Sequence, residues 1–312
     1  MNIYKNQSSD LKGFYILISQ VTFTVAAFYV SYYGTHVAWL LGQIMLGVVC
    51  FRWFVIHHDM IHNNLFKTSF FNNVFGHVSS IPTLLPYHNF KLHHHEHHYW
   101  TGWKDKDPSN PEQFLKEPPA WVITAVNICW RFWIPLLSIT FVALSFWNIP
   151  RLFQRFKGTK DRIGIVFGTG FIVAVYTLLF TWFSAFMLYN WLLGFIIYLS
   201  ISDIVLMSQH SHIHWHKAGK KDVEAFKYTD QSEFTRTIVY PKYFSKFLFY
   251  NFDKHGLHHQ YPSIPVYQLG KLPPAPHMNV GWREWLKTAK SMSASSLIYS
   301  SPMKEKTVSK QA

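Results

Sequence analysis

Cysteine is almost missing: Cys50 and Cys129 are the only two, each inside an apolar stretch and in no metal-binding spacing. A disulfide framework and a thiolate metal site are both excluded, so any metal held here must be ligated by nitrogen or oxygen. Charge is scarce as well, with 14% Asp, Glu, Lys and Arg where an ordinary soluble domain carries about a quarter. The shortage is mostly of acid: 16 Asp plus Glu stand against 29 Lys plus Arg, a formal net charge of +13. The chain shows no glycine-rich phosphate loop, serine or cysteine nucleophile motif, internal repeat or nucleic-acid-binding motif. Nucleotide-driven chemistry, covalent-nucleophile hydrolysis and a nucleic-acid partner therefore find no support.

What fills the chain instead is apolar and aromatic, 49% and 19% of its 312 residues, a composition that points to a membrane protein. Residues 14–34 are the first uncharged run long enough to cross a hydrocarbon core of about 30 Å as a helix. No small-residue cleavage site follows them, which marks a retained span and not a removed signal. Residues 37–56 make a second span, and residues 164–187 and 188–207 make a second pair joined by a very short turn. The expected fold is an all-α integral membrane protein with four transmembrane helices in two hairpins. One domain covers residues 1–290, and the polar, Lys-rich residues 291–312 form a tail expected to be disordered.

Residues 121–147 are long and apolar too, but Arg131 and Pro135 interrupt them. The loop that follows carries Arg151, Arg155, Lys157, Lys160 and Arg162, and such a loop belongs in the cytoplasm. The stretch before it carries a histidine group that must share a compartment with an earlier one. Both flanks therefore lie on one side, and the segment is expected to be interfacial or re-entrant. The turns near residues 34–36 and 188–191 hold no Lys or Arg. The basic excess, the histidine groups and both termini are thus expected in the cytoplasm, as a histidine-rich cap. Anionic lipid headgroups account for that excess, and it could also dock an acidic electron carrier.

Three histidine groups remain: His58 and His62; His94, His97 and His98; His255, His258 and His259. Imidazole suits iron, zinc, copper and nickel. Residues three or four apart share a helix face, while neighbours diverge by about 100°. Each H-x2-H-H group is therefore a fan that can serve two adjacent metal ions. One such group could be a solvated, weakly metal-binding tract; three beside apolar spans indicate a metal centre. Asp203, at the end of the fourth span, is a further functional candidate.

The order H-x3-H, H-x2-H-H, H-x2-H-H, with two groups after one span pair and the third after another, resembles the membrane fatty acid desaturase family. The likeness runs over about residues 37–272. It includes His58-Asp59 followed by Asn64-Leu65-Phe66, Pro86-Tyr87 ahead of the second group, and Asn251-Phe252-Asp253-Lys254 running into His255 and on to Pro262. The resemblance implies a non-haem centre of two iron ions that uses O2 and two electrons to remove hydrogen from a methylene pair of a fatty acyl lipid. It assigns the ligands as His58, His62, His94, His97, His98, His255, His258 and His259, and leaves His57, His93 and His95 off the pattern. Asp59, Glu96 and Asn251 are expected to accept hydrogen bonds from ligand imidazoles.

The resemblance also implies a ninth ligand just past the fourth span, where His210, His212, His214 and His216 are candidates. His210 lies nearest the membrane and fits best, and His214, four residues on, comes next. With no fused cytochrome signature, electrons are expected from a separate ferredoxin- or cytochrome-like protein. Hydroxylases and ketolases of carotenoids or acyl chains share the scaffold, and only the product separates them. A non-enzymatic metal-binding or transport protein would place ionisable residues along its spans, and residues 14–34 and 164–187 contain none.

Overall fold

The computed structural model describes residues 8–113, 118–275 and 278–299. Two long apolar helices, α1 (Asp10–Tyr33) and α2 (Val37–Ile61), come first, followed by the shorter α3 (Ser69–Thr83) and α4 (Tyr87–Trp100). An apolar pair, α5 (Ala120–Arg131) and α6 (Leu136–Val142), leads through α7 (Ile149–Arg155) to the long α8 (Thr159–Asn190) and α9 (Leu192–His210). Short elements close the chain: β1 (Thr237–Val239), α10 (His255–Gln260), α11 (Val266–Leu269), β2 (Asn279–Gly281), α12 (Trp282–Ser291) and α13 (Ala294–Tyr299). Among the described residues, α1, α2, α8 and α9 are long and apolar enough to cross a membrane.

The most enclosed of these is α2, packed between α1 and α9. Glycine permits that approach: a Cβ on Gly194 would lie 2.6 Å from Leu46 Cβ, and one on Gly47 would lie 2.4 Å from Ile197 Cγ2. Small residues that let backbones touch, with polar side chains bonding across, are how helices associate without water. Here Gln43 Nε2 donates to Ser31 Oγ at 2.6 Å, Ser31 Oγ to Asn190 Oδ1 at 3.0 Å, and the Gly194 N–H to Gln43 Oε1 at 2.8 Å. That network joins α1, α2, α8 and α9 at one end. Within the turn expected near residues 188–191 the chain reverses at Trp191, and α8 continues past residue 187 to Asn190, whose carboxamide the network uses. At its other end α2 runs past residue 56 to Ile61, which places His57, His58 and Asp59 on a helix.

Residues 121–147 bend by 119° between α5 and the helical stretch Leu136–Trp147. Proline at position 135 removes a helical donor, and Trp133 adopts a left-handed φ of 63°. The corner is pinned by Ser200 Oγ donating to the Trp133 carbonyl at 3.1 Å and by the Ser138 N–H donating to Asp203 Oδ1 at 2.5 Å. The Lys290 ammonium of α12 sits 3.7 Å and 4.1 Å over Trp130 at the end of α5 and Trp133 in the corner, a cation–π contact that holds the approach to the bend.

The chain is mostly helical, as expected, with little strand: β1 and β2 form a two-stranded parallel ribbon, Thr237 opposite Asn279 through Val239 opposite Gly281. Past residue 290, α13 buries Ala294 and Leu297 completely against a cluster that includes Trp130 and Trp285. Apolar side chains at positions 294, 297 and 298 give the start of that Ser-rich stretch a face to bury. Residues 300–312 of the expected tail lie outside the described residues.

Candidate metal centre

Each histidine group sits at the end of a helix or fills a short one. His58 lies in the last turn of α2 with His62 just beyond, α4 carries His94, His97 and His98, α9 ends on His210, and α10 carries His255, His258 and His259. These nine imidazoles fall into two sets, within each of which one ring nitrogen per residue lies within 4.8 Å of the others. One set is His58, His62, His94, His98 and His258, and the other is His97, His210, His255 and His259. Helix geometry explains the division. His94 and His98, and likewise His255 and His259, are four apart and project together. His97 and His258, three from the first member of their group, lean about 60° the other way, into the neighbouring set. The second and third groups are each shared between two sites.

The spacings suit metal ions. His94 Nε2 is 2.9 Å from His58 Nε2 and 3.0 Å from His98 Nε2, which is 2.9 Å from His258 Nε2. In the other set His255 Nε2 is 2.9 Å from His210 Nε2 and 3.1 Å from His259 Nε2. Two nitrogens bonded at right angles to one ion at about 2.1 Å are about 3.0 Å apart. The Nε2 of His62 is buried with no protein partner, as a ligand atom would be. The rings of His98 and His259 stack at 4.2 Å, so the two sets abut. Burial first, then neighbouring imidazoles, hold His62, His94, His98, His255 and His259 well below the usual histidine range. His258 is pushed down to about 3 for the same reasons. At neutral pH these groups are uncharged lone-pair donors.

Three of the four imidazoles in the second set have Nδ1 committed elsewhere. His97 Nδ1 is 2.7 Å from Asp107 Oδ2, His259 Nδ1 is 3.0 Å from Gln231 Oε1, and His210 Nδ1 is 3.2 Å from the Phe234 carbonyl oxygen. Donation from Nδ1–H leaves the Nε2 lone pair for a metal and fixes the ring. Gln231 also donates from Nε2 to the His98 carbonyl at 2.6 Å, so it ties the second group to the third. Sequence reasoning missed Asp107 and Gln231. The only signal was an acidic residue shortly after the second group, for Gln231 lies in a stretch with no motif.

The three residues expected in that role bond elsewhere. Asp59 accepts the Val266 N–H at 3.1 and 3.2 Å and so holds the start of α11. Glu96 pairs with Arg155 of α7. Asn251 accepts from Ser245 Oγ at 3.4 Å, in the segment leading to α10. Each of the first two is next to a histidine in sequence, which on a helix turns it about 100° off that histidine's face.

The off-pattern histidines lie outside both sets. His57 Nδ1 lies 3.1 Å from Thr83 Oγ1, His95 Nε2 donates to the Ile61 carbonyl at 3.0 Å, and His93 packs on Phe141 and Phe146. Since α9 ends at His210 and Ser211 is extended, the helical spacing that favoured His214 does not exist, and His214 is exposed. His277, which in the sequence stands apart from all three groups, lies outside the described residues.

A cavity of about 760 Å³ runs beneath both sets. Its wall includes His58 and His94 from one, and His97, His210 and His255 from the other. Phe54, Phe90, Phe146, Tyr198, Leu199 and Phe252 make much of the remainder, with α5 and α6 forming one side. Asp203 also lines it, with its carboxylate occupied by α6 and not by the third histidine group.

The sequence profile of the fatty acid desaturase family matches residues 34–279. An sn-1 acyl-lipid omega-3 desaturase (ferredoxin) of Nostoc sp. is 35% identical over 94 residues, 30% of this chain and 25% of that protein. A Delta(12) fatty acid desaturase of Caenorhabditis elegans is 26% identical over 157 residues, 48% of this chain and 40% of its own. A chloroplastic omega-3 fatty acid desaturase of Glycine max is 23% identical over 262 residues, 77% and 54% of the two chains. The matched part of this chain therefore spans from a quarter to about half the length of these relatives. With the profile covering all three histidine groups and most of the chain, this protein belongs to the fatty acid desaturase family.

Proposed function

We propose that this protein is an O2-dependent desaturase that introduces a double bond into a fatty acyl chain of a membrane lipid. The observation that carries this is a largely apolar cavity bordered by members of both histidine sets, a shape that would suit a hydrocarbon chain. The nine imidazoles would hold two iron ions, which when bound supply the redox chemistry that activates O2. Two hydrogens leave adjacent methylenes, and with two electrons and two protons one O2 becomes two waters. The protein's part is to align the chain along Phe54, Phe90, Phe146 and Phe252, to keep bulk water from it, and to fix the imidazoles through Asp107 and Gln231. Two electrons per turnover would come from a separate ferredoxin- or cytochrome-like donor, as the name of the Nostoc relative suggests for that enzyme.

Iron content tests the reading. Purified protein should hold about two irons per chain, because nine imidazoles exceed the six sites of one octahedral ion. Lipids of a host expressing the chain should gain a double bond. Stoichiometric zinc in protein that is active without iron would sink the assignment.

The same reading arranges α1 with α2 and α8 with α9 as two membrane hairpins, with the α5–α6 bend re-entrant and the histidine cap in the cytoplasm. Its support is the 119° bend and the basic residues after it. Single cysteines at Arg155 and Lys254 should react with an impermeant thiol reagent only from the cytoplasmic side. Labelling of the two from opposite sides would make residues 121–147 a true crossing.

A further inference from the structure

Residues 241–250, which join β1 to the third histidine group, bury Phe249 but leave three other aromatic rings exposed. Tyr243 is 78%, Phe244 56% and Phe247 57% exposed, with Val239 at 52% just before. Lys242 and Lys246 alternate with these rings and are exposed too. A contiguous apolar patch of this kind marks a surface with a partner.

The patch lies against the spans. Arg52 of α2 donates to the Phe247 carbonyl and to the Tyr250 hydroxyl, and from Nε to Gln20 Oε1 of α1 at 3.0 Å. Its guanidinium also lies 5.1 Å from the ring of Phe23, on the exposed face of α1. The aromatic patch and the apolar surface of the spans are therefore continuous. At 1.5 Å per residue, Arg52 is about 22 Å from the start of α2, and Gln20 about 20 Å from the end of α1. Against a hydrocarbon core about 30 Å thick, measured from those helix ends, Arg52 and the turn it holds lie roughly 8 Å inside the cap-side boundary.

Backbone at that depth must satisfy its own hydrogen bonds, and several groups of this turn are paired within the chain. Ser245 N–H donates to the Pro241 carbonyl at 3.0 Å, Phe249 N–H to Phe244 at 3.1 Å, and Asn251 N–H to Ser245 at 2.7 Å. Pro241 has no N–H to satisfy, and Arg52 serves the Phe247 carbonyl.

We propose that the π-helical turn at Phe244–Leu248 is a membrane wedge: Tyr243, Phe244 and Phe247 enter the acyl-chain layer beside α1 and α2, while Lys242 and Lys246 reach up to headgroup phosphates. The partner is the lipid bilayer itself. The wedge also bears on the metal centre, since the chain runs from it into Phe252, whose ring is 4.9 Å from His58 and 5.7 Å from His255. The depth of the turn in the bilayer thereby helps to set the third histidine group over the cavity. This inference rests on α1 and α2 crossing the membrane and on nothing in the catalytic reading.

Tyr243→Cys and Phe247→Cys, each in a Cys129→Ser background, test it with a bimane label, because the remaining Cys50 is buried. The protein is reconstituted in vesicles of phosphatidylcholine and phosphatidylglycerol, with Ile18→Cys on the exposed face of α1 and Lys220→Cys in an exposed loop as controls. Lipid brominated at mid-chain should remove most of the emission at positions 243, 247 and 18, and aqueous iodide should remove it only at 220. Iodide quenching at 243 and 247 equal to that at 220 overturns the wedge. Protection from both reagents overturns it as well, because a protein surface would then cover the turn. Iodide quenching at position 18 too would remove the span reading and the wedge together.

Discussion

Replacing His94 by alanine is expected to cost the iron of its own histidine set and take product formation below detection, while His93→Ala keeps its iron. His94 Nε2 stands 2.9 Å from His58 Nε2 and 3.0 Å from His98 Nε2, so its removal opens one set at its middle. His93 is a single position earlier, which on a helix turns it about 100° away. Its ring faces Phe141 and Phe146 and lines the cavity, apart from both histidine sets. Losing it changes the cavity wall, so activity should fall by no more than about tenfold, the low end of what outer-sphere changes cost. Metal analysis of the purified variants beside lipid analysis of the expressing host decides the matter. If His93→Ala loses metal and His94→Ala retains it, the register of the second group is wrong.

The candidate ligands could be read from the sequence because their geometry is local. Spacings of three and four residues fix which imidazoles share a helix face, whatever the rest of the chain does. The residues that orient them could not be read that way. Asp107 reaches His97 across 10 residues that leave the helix and turn, and Gln231 reaches His259 across 28. Asp59 and Glu96 attracted attention by adjacency, yet adjacent helical residues point apart, and Asp59 finds its partner 207 residues away. The long apolar helices followed from composition, and Arg131 with Pro135 marked the bend at residues 132–135. The β1–β2 ribbon and the turn at residues 244–248 left no such mark. Three-residue strands carry too little alternation, and the turn is organised by Arg52 from a distant helix.

Asp107→Ala should remove one iron in preference to the other. The carboxylate is fully buried, takes His97 Nδ1 on Oδ2 at 2.7 Å and the Ser109 N–H on Oδ1 at 2.7 Å. Its loop is held by α7, where Arg155 Nη2 donates to the Lys106 carbonyl at 2.7 Å and Arg151 Nη2 to the Pro108 carbonyl at 3.2 Å. Without the acid, His97 keeps its nitrogen but loses the bond that fixes its tautomer and ring plane, and such losses lower metal affinity by about 10–100-fold. His97 belongs only to the set with His210, His255 and His259. Iron should therefore fall from about two per chain towards one, with product formation lost because the proposed chemistry needs both. Asp107→Asn, which can still accept from Nδ1–H but lacks the charge, should lie between wild type and Asp107→Ala in metal content. Titration of metal-depleted protein with Fe(II) would show one weakened and one unchanged binding step. Equal weakening of both steps would mean that the loop supports the whole cap, and an unchanged titration would mean that Asp107 does not orient His97.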